Sequence, residues 1–110
     1  MMWSQESWYG GAKGAALAAD TEIIHIDARV HAYDPTAGGF KVKLPDARRL
    51  REIGGPRYVI INEDFTHSII LTDNAGTTLV TILFREAARV YLHDNSTAAG
   101  GWYIRKSQVN

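Results

Sequence analysis

Hydrophobic and polar positions alternate along most of this chain, and they set its element plan. From Glu22 to Tyr33, Ile24, Ile26, Ala28, Val30 and Ala32 share one parity, while His25, Asp27, Arg29 and His31 share the other. That period of two predicts a strand with one buried and one wet face. Asp34-Pro35-Thr36-Ala37-Gly38-Gly39 reads as a loop. Phe40, Val42 and Leu44 alternate with Lys41 and Lys43 and predict a second strand, ended by Pro45. Further strands are expected at Arg57–Asn62, Ser68–Thr72, Thr77–Phe84, from Ala88 to His93, and at Trp102–Arg105. Turns rich in Asp, Asn, Gly, Ser and Thr separate them, chiefly Asp73-Asn74-Ala75-Gly76 and Asp94 through Gly101. About seven short strands in this rhythm predict an all-β fold, a two-sheet antiparallel β-sandwich of jelly-roll type. Val30, Val42, Ile60, Leu79, Val80, Ile82 and Leu92 are its expected core.

The first twenty residues break this pattern. Trp3, Trp8 and Tyr9 precede Gly10-Gly11-Ala12-Lys13-Gly14 and a run of small residues in which Ala15–Ala19 could form one helical turn. Residues 1–20 read as an extended arm and 21–110 as the sandwich domain. Large aromatics on an arm need a burial site, either on their own domain or on a neighbouring subunit.

Composition narrows the function. With 110 residues the chain makes one domain. Lys and Arg number 12, as do Asp and Glu. This balance argues against nucleic acid as a partner and leaves little repulsion between copies, so a homo-oligomer, dimer or trimer, is expected. There is no cysteine, so disulfides, thiolate catalysis and thiolate metal sites are excluded. No signal peptide or membrane-length apolar segment is read, and the chain is expected to be made in a cytoplasm.

The candidate chemistry is sparse. His25 and Asp27 lie two apart on the first predicted strand and could share a metal, but His31 lies roughly 20 Å from His25 along an extended strand, so a solvent-facing polar row is the reading adopted. Ser, His and Asp occur without a nucleophile elbow, and the Gly10–Gly14 segment lacks the ending of a phosphate loop. Asn95-Ser96-Thr97 has the spacing of a glycosylation site, but its side chains suit a tight turn better. No catalytic, cofactor or metal residue is assigned, and the chain is not expected to be an enzyme. Arg48, Arg49 and Arg51, with Arg57 beyond them, form a basic cluster suited to a loop or to an acidic patch on a protein partner. Together with Trp3, Trp8, Tyr9, Trp102 and Tyr103, the first three of these arginines are the candidate interface residues.

Four motifs carry a resemblance. Val42-Lys43-Leu44-Pro45-Asp46-Ala47, Gly54-Gly55-Pro56 through Asn62, Thr72-Asp73-Asn74-Ala75-Gly76-Thr77-Thr78-Leu79 and Leu92 through Trp102 resemble the small β-domains of tailed-bacteriophage virion proteins. The likeness covers Phe40–Tyr103, and Phe84-Arg85-Glu86-Ala87 departs from it where a Gly- or Pro-containing turn is expected. It implies a virion structural protein. A capsid decoration or cement protein on the head surface, bound to the major capsid protein, is the expectation. The alternative is a fibre or adhesion module that binds a host surface glycan through exposed Trp and Tyr.

Overall fold

A computed structural model describes residues 15–24, 29–51 and 56–108. Trp3, Trp8, Tyr9, His25 and Asp27, and most of the expected arm, lie outside them. The described residues form nine strands: β1 (Ala15–Leu17), β2 (Thr21–Glu22), β3 (Val30–Pro35), β4 (Phe40–Lys43), β5 (Pro56–Asn62), β6 (Ile69–Thr72), β7 (Thr78–Ile82), β8 (Glu86–Asp94) and β9 (Gly101–Gln108). A 3-10 turn at Ala47–Arg49 is the one helical element among the described residues. The strands make a five-stranded sheet, β1-β3-β5-β8-β9, and a four-stranded sheet, β2-β4-β6-β7. The protein is an all-β, two-sheet sandwich.

The winding differs from the jelly roll expected from the sequence. The first six strands pass alternately from one sheet to the other. The first four therefore pair in parallel with the strand two places on: β1 with β3, β3 with β5, β2 with β4 and β4 with β6. This part is a flattened coil. Antiparallel pairing is confined to β5–β8, β8–β9 and β6–β7, which close the coil. Alternation predicts strands but says nothing of the sheet each one joins, so the direction of pairing was not readable.

The same limit explains three more corrections. The single strand expected over Glu22–Tyr33 is two, β2 and β3, in different sheets. Ala15–Leu17 is a strand rather than a helical turn, so the sandwich already includes residues assigned to the arm. The parity of β3 is also inverted. His31 pairs with Ile60 and Tyr33 with Asn62, both fully buried, whereas Val30 pairs with half-buried Val59 on the outer face. Val30 is thus outside the core, and His31 leaves the expected wet row to lie beside Tyr33 and Tyr58, its ring centroid 6.1 Å from each.

The core lies between the sheets. Val42, Leu44, Ile60, Tyr58, Ile69, Leu71, Ile82, Val90 and Leu92 are closed to solvent, while Leu79 and Val80 pack at its margin. Removing buried atoms costs the transfer energy plus the cavity left behind. Ile60→Ala is therefore expected to cost roughly 2–5 kcal/mol, and Leu79→Ala under about 2 kcal/mol, because partial exposure lets its site relax. Urea unfolding of the two variants tests the order; equal losses would mean that Leu79 is as enclosed as Ile60.

Candidate functional site

The strand directions gather the loops at two ends. At one end Asp73 organises the β6–β7 turn. Its Oδ1 accepts from the amides of Ala75 and Thr77, both at 2.9 Å, and Gly76 takes a φ of 91°. Asn74 Nδ2 then donates to the Leu44 carbonyl at 3.2 Å, fastening this turn to the chain leaving β4. The β8–β9 turn is fastened to the same stretch. Asn95 Nδ2 donates to the Leu50 carbonyl at 2.8 Å, and the Ala47 amide donates to the Ala98 carbonyl at 2.9 Å. Asp94 Oδ1 accepts from the amide and hydroxyl of Ser96. Those bonds hold the Asp94 carboxyl below the usual range.

This clamp sets the 3-10 turn and its arginines on the surface. Asp46 caps the turn through the Arg48 amide and grips the Arg48 guanidinium at 3.0 and 2.7 Å. The bond from the Arg48 side chain leads in lowering the Asp46 carboxyl to about 2. The charge of Arg48 is thus matched within the loop. Arg49 and Arg51 are exposed and have no ion pair among the described residues. Trp102 belongs to the same end: its indole Nε1 donates to the Ala99 carbonyl at 2.8 Å, and its ring packs against the core. Half-buried, it acts chiefly as a structural post. Tyr103, 55% exposed, lies on the outer face of the five-stranded sheet against Tyr91, with ring centroids 5.8 Å apart. Arg48, Arg49 and Arg51 thus share the loop to which the β8–β9 turn is fastened, with Trp102 bonded into that turn, while Tyr103 points to the outer sheet face.

The other end carries polar structure that the sequence reading missed. Asn62 is fully buried and donates through Nδ2 to the carbonyls of His67 and Ile82. Asp64 Oδ2 accepts from the amides of Thr66 and His67 and lies 2.6 Å from His67 Nδ1. Its carboxyl, although partly desolvated, is held well below the usual range by these bonds. The Asp34 carboxyl is raised by partial desolvation, then by its hydrogen bond to and repulsion from Asp64. Asp-x-Thr-His over residues 64–67 is a local turn signature that could have shown this knot.

A shallow groove of about 410 Å³ lies over β2 and β4. Asp20 and Glu22 face Lys41 and Lys43 across it, and Asp20 Oδ1 also accepts from the Lys41 amide at 2.8 Å. Its charges cancel locally. Among the described residues no three His, Asp or Glu side chains are grouped so as to hold a metal ion, and no helix is long and apolar enough to cross a membrane. Comparison with protein-family models, with curated proteins and with solved structures finds no match to this chain.

Proposed function

We propose that this chain is a structural protein of a tailed-bacteriophage virion, a decoration or cement protein that binds the major capsid protein on the head surface. The observation that carries the reading is the use made of the motif side chains. Asp46, Asp73, Asn74, Asp94 and Asn95 are spent on backbone bonds that build one loop end. The likeness to virion β-domains is therefore architectural, and the groups left free there, Arg49 and Arg51, suit an acidic protein surface better than a reaction. A second reading, a fibre or adhesion module, draws support from the parallel coil, whose β1 and β2 edges have no further strand among the described residues. Such edges suit end-to-end continuation of the sheets.

The test is co-sedimentation with undecorated heads of the parent phage, beside a thermal melt. Deleting Met1–Gly11 removes Trp3, Trp8 and Tyr9, each able to contribute about 2 kcal/mol or more if a neighbour buries it. Loss of head binding with an unchanged melt is the expected result. Retained binding would make the arm dispensable, and failure of the full chain to bind heads would favour the fibre module.

A further inference from the structure

The outer face of the five-stranded sheet carries an arrangement that folding alone does not account for. Arg89 on β8 and Arg105 on β9 are direct cross-strand partners. The next pair on that face is Tyr91 and Tyr103, also in direct register. Side chains so opposed have Cβ atoms about 5 Å apart, and like charges there are destabilising. Neither arginine has an ion pair among the described residues, and both are exposed. On the inner side of the same strands the groups are matched instead: Val90 faces Ile104 in register, and Lys106 bonds Glu86 diagonally at 3.2 Å. Between Ala87 and Tyr91 on β8 and Tyr103 and Ser107 on β9, the positions of this face are Ala87, Arg89, Tyr91, Tyr103, Arg105 and Ser107, and none of them is an acid. The tile is therefore two unneutralised guanidinium groups beside two tyrosine rings, one of them 55% exposed.

We propose that this tile binds a carboxylated polysaccharide. Guanidinium groups take carboxylates in paired hydrogen bonds, and tyrosine rings offer flat apolar faces with a polar rim to sugar rings. The spacing agrees: rows two residues apart on a strand lie about 6.7 Å from each other, enough to set one sugar over the rings and the next acid over the arginines. An anion between Arg89 and Arg105 also removes their mutual repulsion, which gives the pairing a use. A nucleic acid is the weaker fit, because the chain has no net charge and the tile offers only two cations against a polyanion. The tile is built on β8 and β9 and uses neither Arg49 nor Arg51, so the inference goes beyond shell binding and does not depend on it.

The experiment is calorimetric titration of the full chain with oligogalacturonate in low salt, with uncharged dextran and a duplex DNA oligomer as comparators. Binding to oligogalacturonate alone is expected. Arg89→Gln, Arg105→Gln and Tyr103→Ala should each weaken it at least about tenfold, the scale of losing one charge-assisted or stacking contact. Lys41→Gln, on the other sheet, should leave it unchanged. The two arginine variants should also melt no lower than the parent, since they relieve a like-charge pair. No binding, equal binding by the arginine variants, or equal affinity for DNA would each overturn the proposal. Loss in the arginine variants with full binding by Tyr103→Ala would reduce the site to a simple anion contact and overturn the saccharide assignment.

Discussion

Gly100→Ala is expected to destabilise the protein by about 2–5 kcal/mol. Two costs combine. Gly100 has a φ of 74°, in the left-handed region, where a Cβ costs roughly 1–2 kcal/mol. A Cβ built there would also lie 2.5 Å from the Ala47 Cβ and 3.2 Å from the Asp94 carbonyl oxygen. Crowding of that kind typically adds about 1–3 kcal/mol. The glycine is thus what lets the β8–β9 turn close onto the 3-10 turn, where the Ala47 amide meets the Ala98 carbonyl. Gly76 separates the two costs. It has a φ of 91° but open space around its missing Cβ, so Gly76→Ala should show the backbone cost alone. Adding Ala47→Gly to Gly100→Ala should recover the steric part, less about 1 kcal/mol for glycine in a helical turn. Urea denaturation of the three variants beside the parent measures this. Gly100→Ala no worse than Gly76→Ala would mean that the two turns are not in contact.

Three of the four sequence motifs meet at this end of the molecule, where their physical role is the same. Leu44, Asp46, Ala47 and Leu50 come from one loop, Asp73 through Gly76 from a second, and Asp94 through Gly101 from a third. Their short side chains bond backbone groups across loops, and the glycines allow close approach. Such a clamp fixes a surface without furnishing a reaction. It holds the backbone that carries Arg49 and Arg51, whose side chains remain exposed.

Much of the architecture was legible because it depends on local pattern. Strands β4, β6 and β7 fall within the runs expected at Phe40–Leu44, Ser68–Thr72 and Thr77–Phe84, each a little shorter, and Val42, Ile60, Ile82 and Leu92 are buried, as read. What escaped was long-range. Ile23 is buried but Ile24 is 46% exposed, and after Glu22 the chain leaves one sheet for the other, so a parity read straight through to Val30 fails. Arg85 shows the same limit. Its φ of 58° builds the expected turn without glycine, because Glu86 Oε1 accepts from the Leu83 amide and the Arg85 amide reaches the Asp64 carbonyl. Its guanidinium lies 4.9 Å from the Phe65 ring, a contact between loops distant in the chain. At the candidate interface the sequence marked a cluster of arginines but not that Asp46 neutralises Arg48, which needs the cap geometry. The Arg89–Arg105 pair needed the register of β8 on β9, set by a turn whose length could not be judged beforehand.

Asn62→Ala is expected to cost about 3–5 kcal/mol, as much as any core truncation, although it removes few atoms. Asn62 ends β5 in one sheet, and its Nδ2 reaches the carbonyl of Ile82, which ends β7 in the other, at 3.2 Å. The same nitrogen donates to the His67 carbonyl at 2.8 Å, and Oδ1 accepts from the Asp64 amide at 3.0 Å. The side chain thus satisfies three backbone groups and ties both sheets to the loop after β5. Each backbone group left buried and unpaired costs about 1–3 kcal/mol, with the sum reduced by relaxation of the loop. Asn62→Asp keeps the shape and sharpens the test. A carboxylate would turn a negative oxygen toward two carbonyls, so the folded state would favour the protonated acid and raise its pKa above the unfolded value. For such a group, stability is present at pH below the unfolded pKa and is lost as pH rises through the folded one. Relative to the parent, Asn62→Asp should therefore melt far lower at pH 7 than near pH 4, while the deficit of Asn62→Ala should change little between them. An Asn62→Ala loss below about 1 kcal/mol, or an Asn62→Asp deficit independent of pH, would show that the sheets are joined at this end by packing alone.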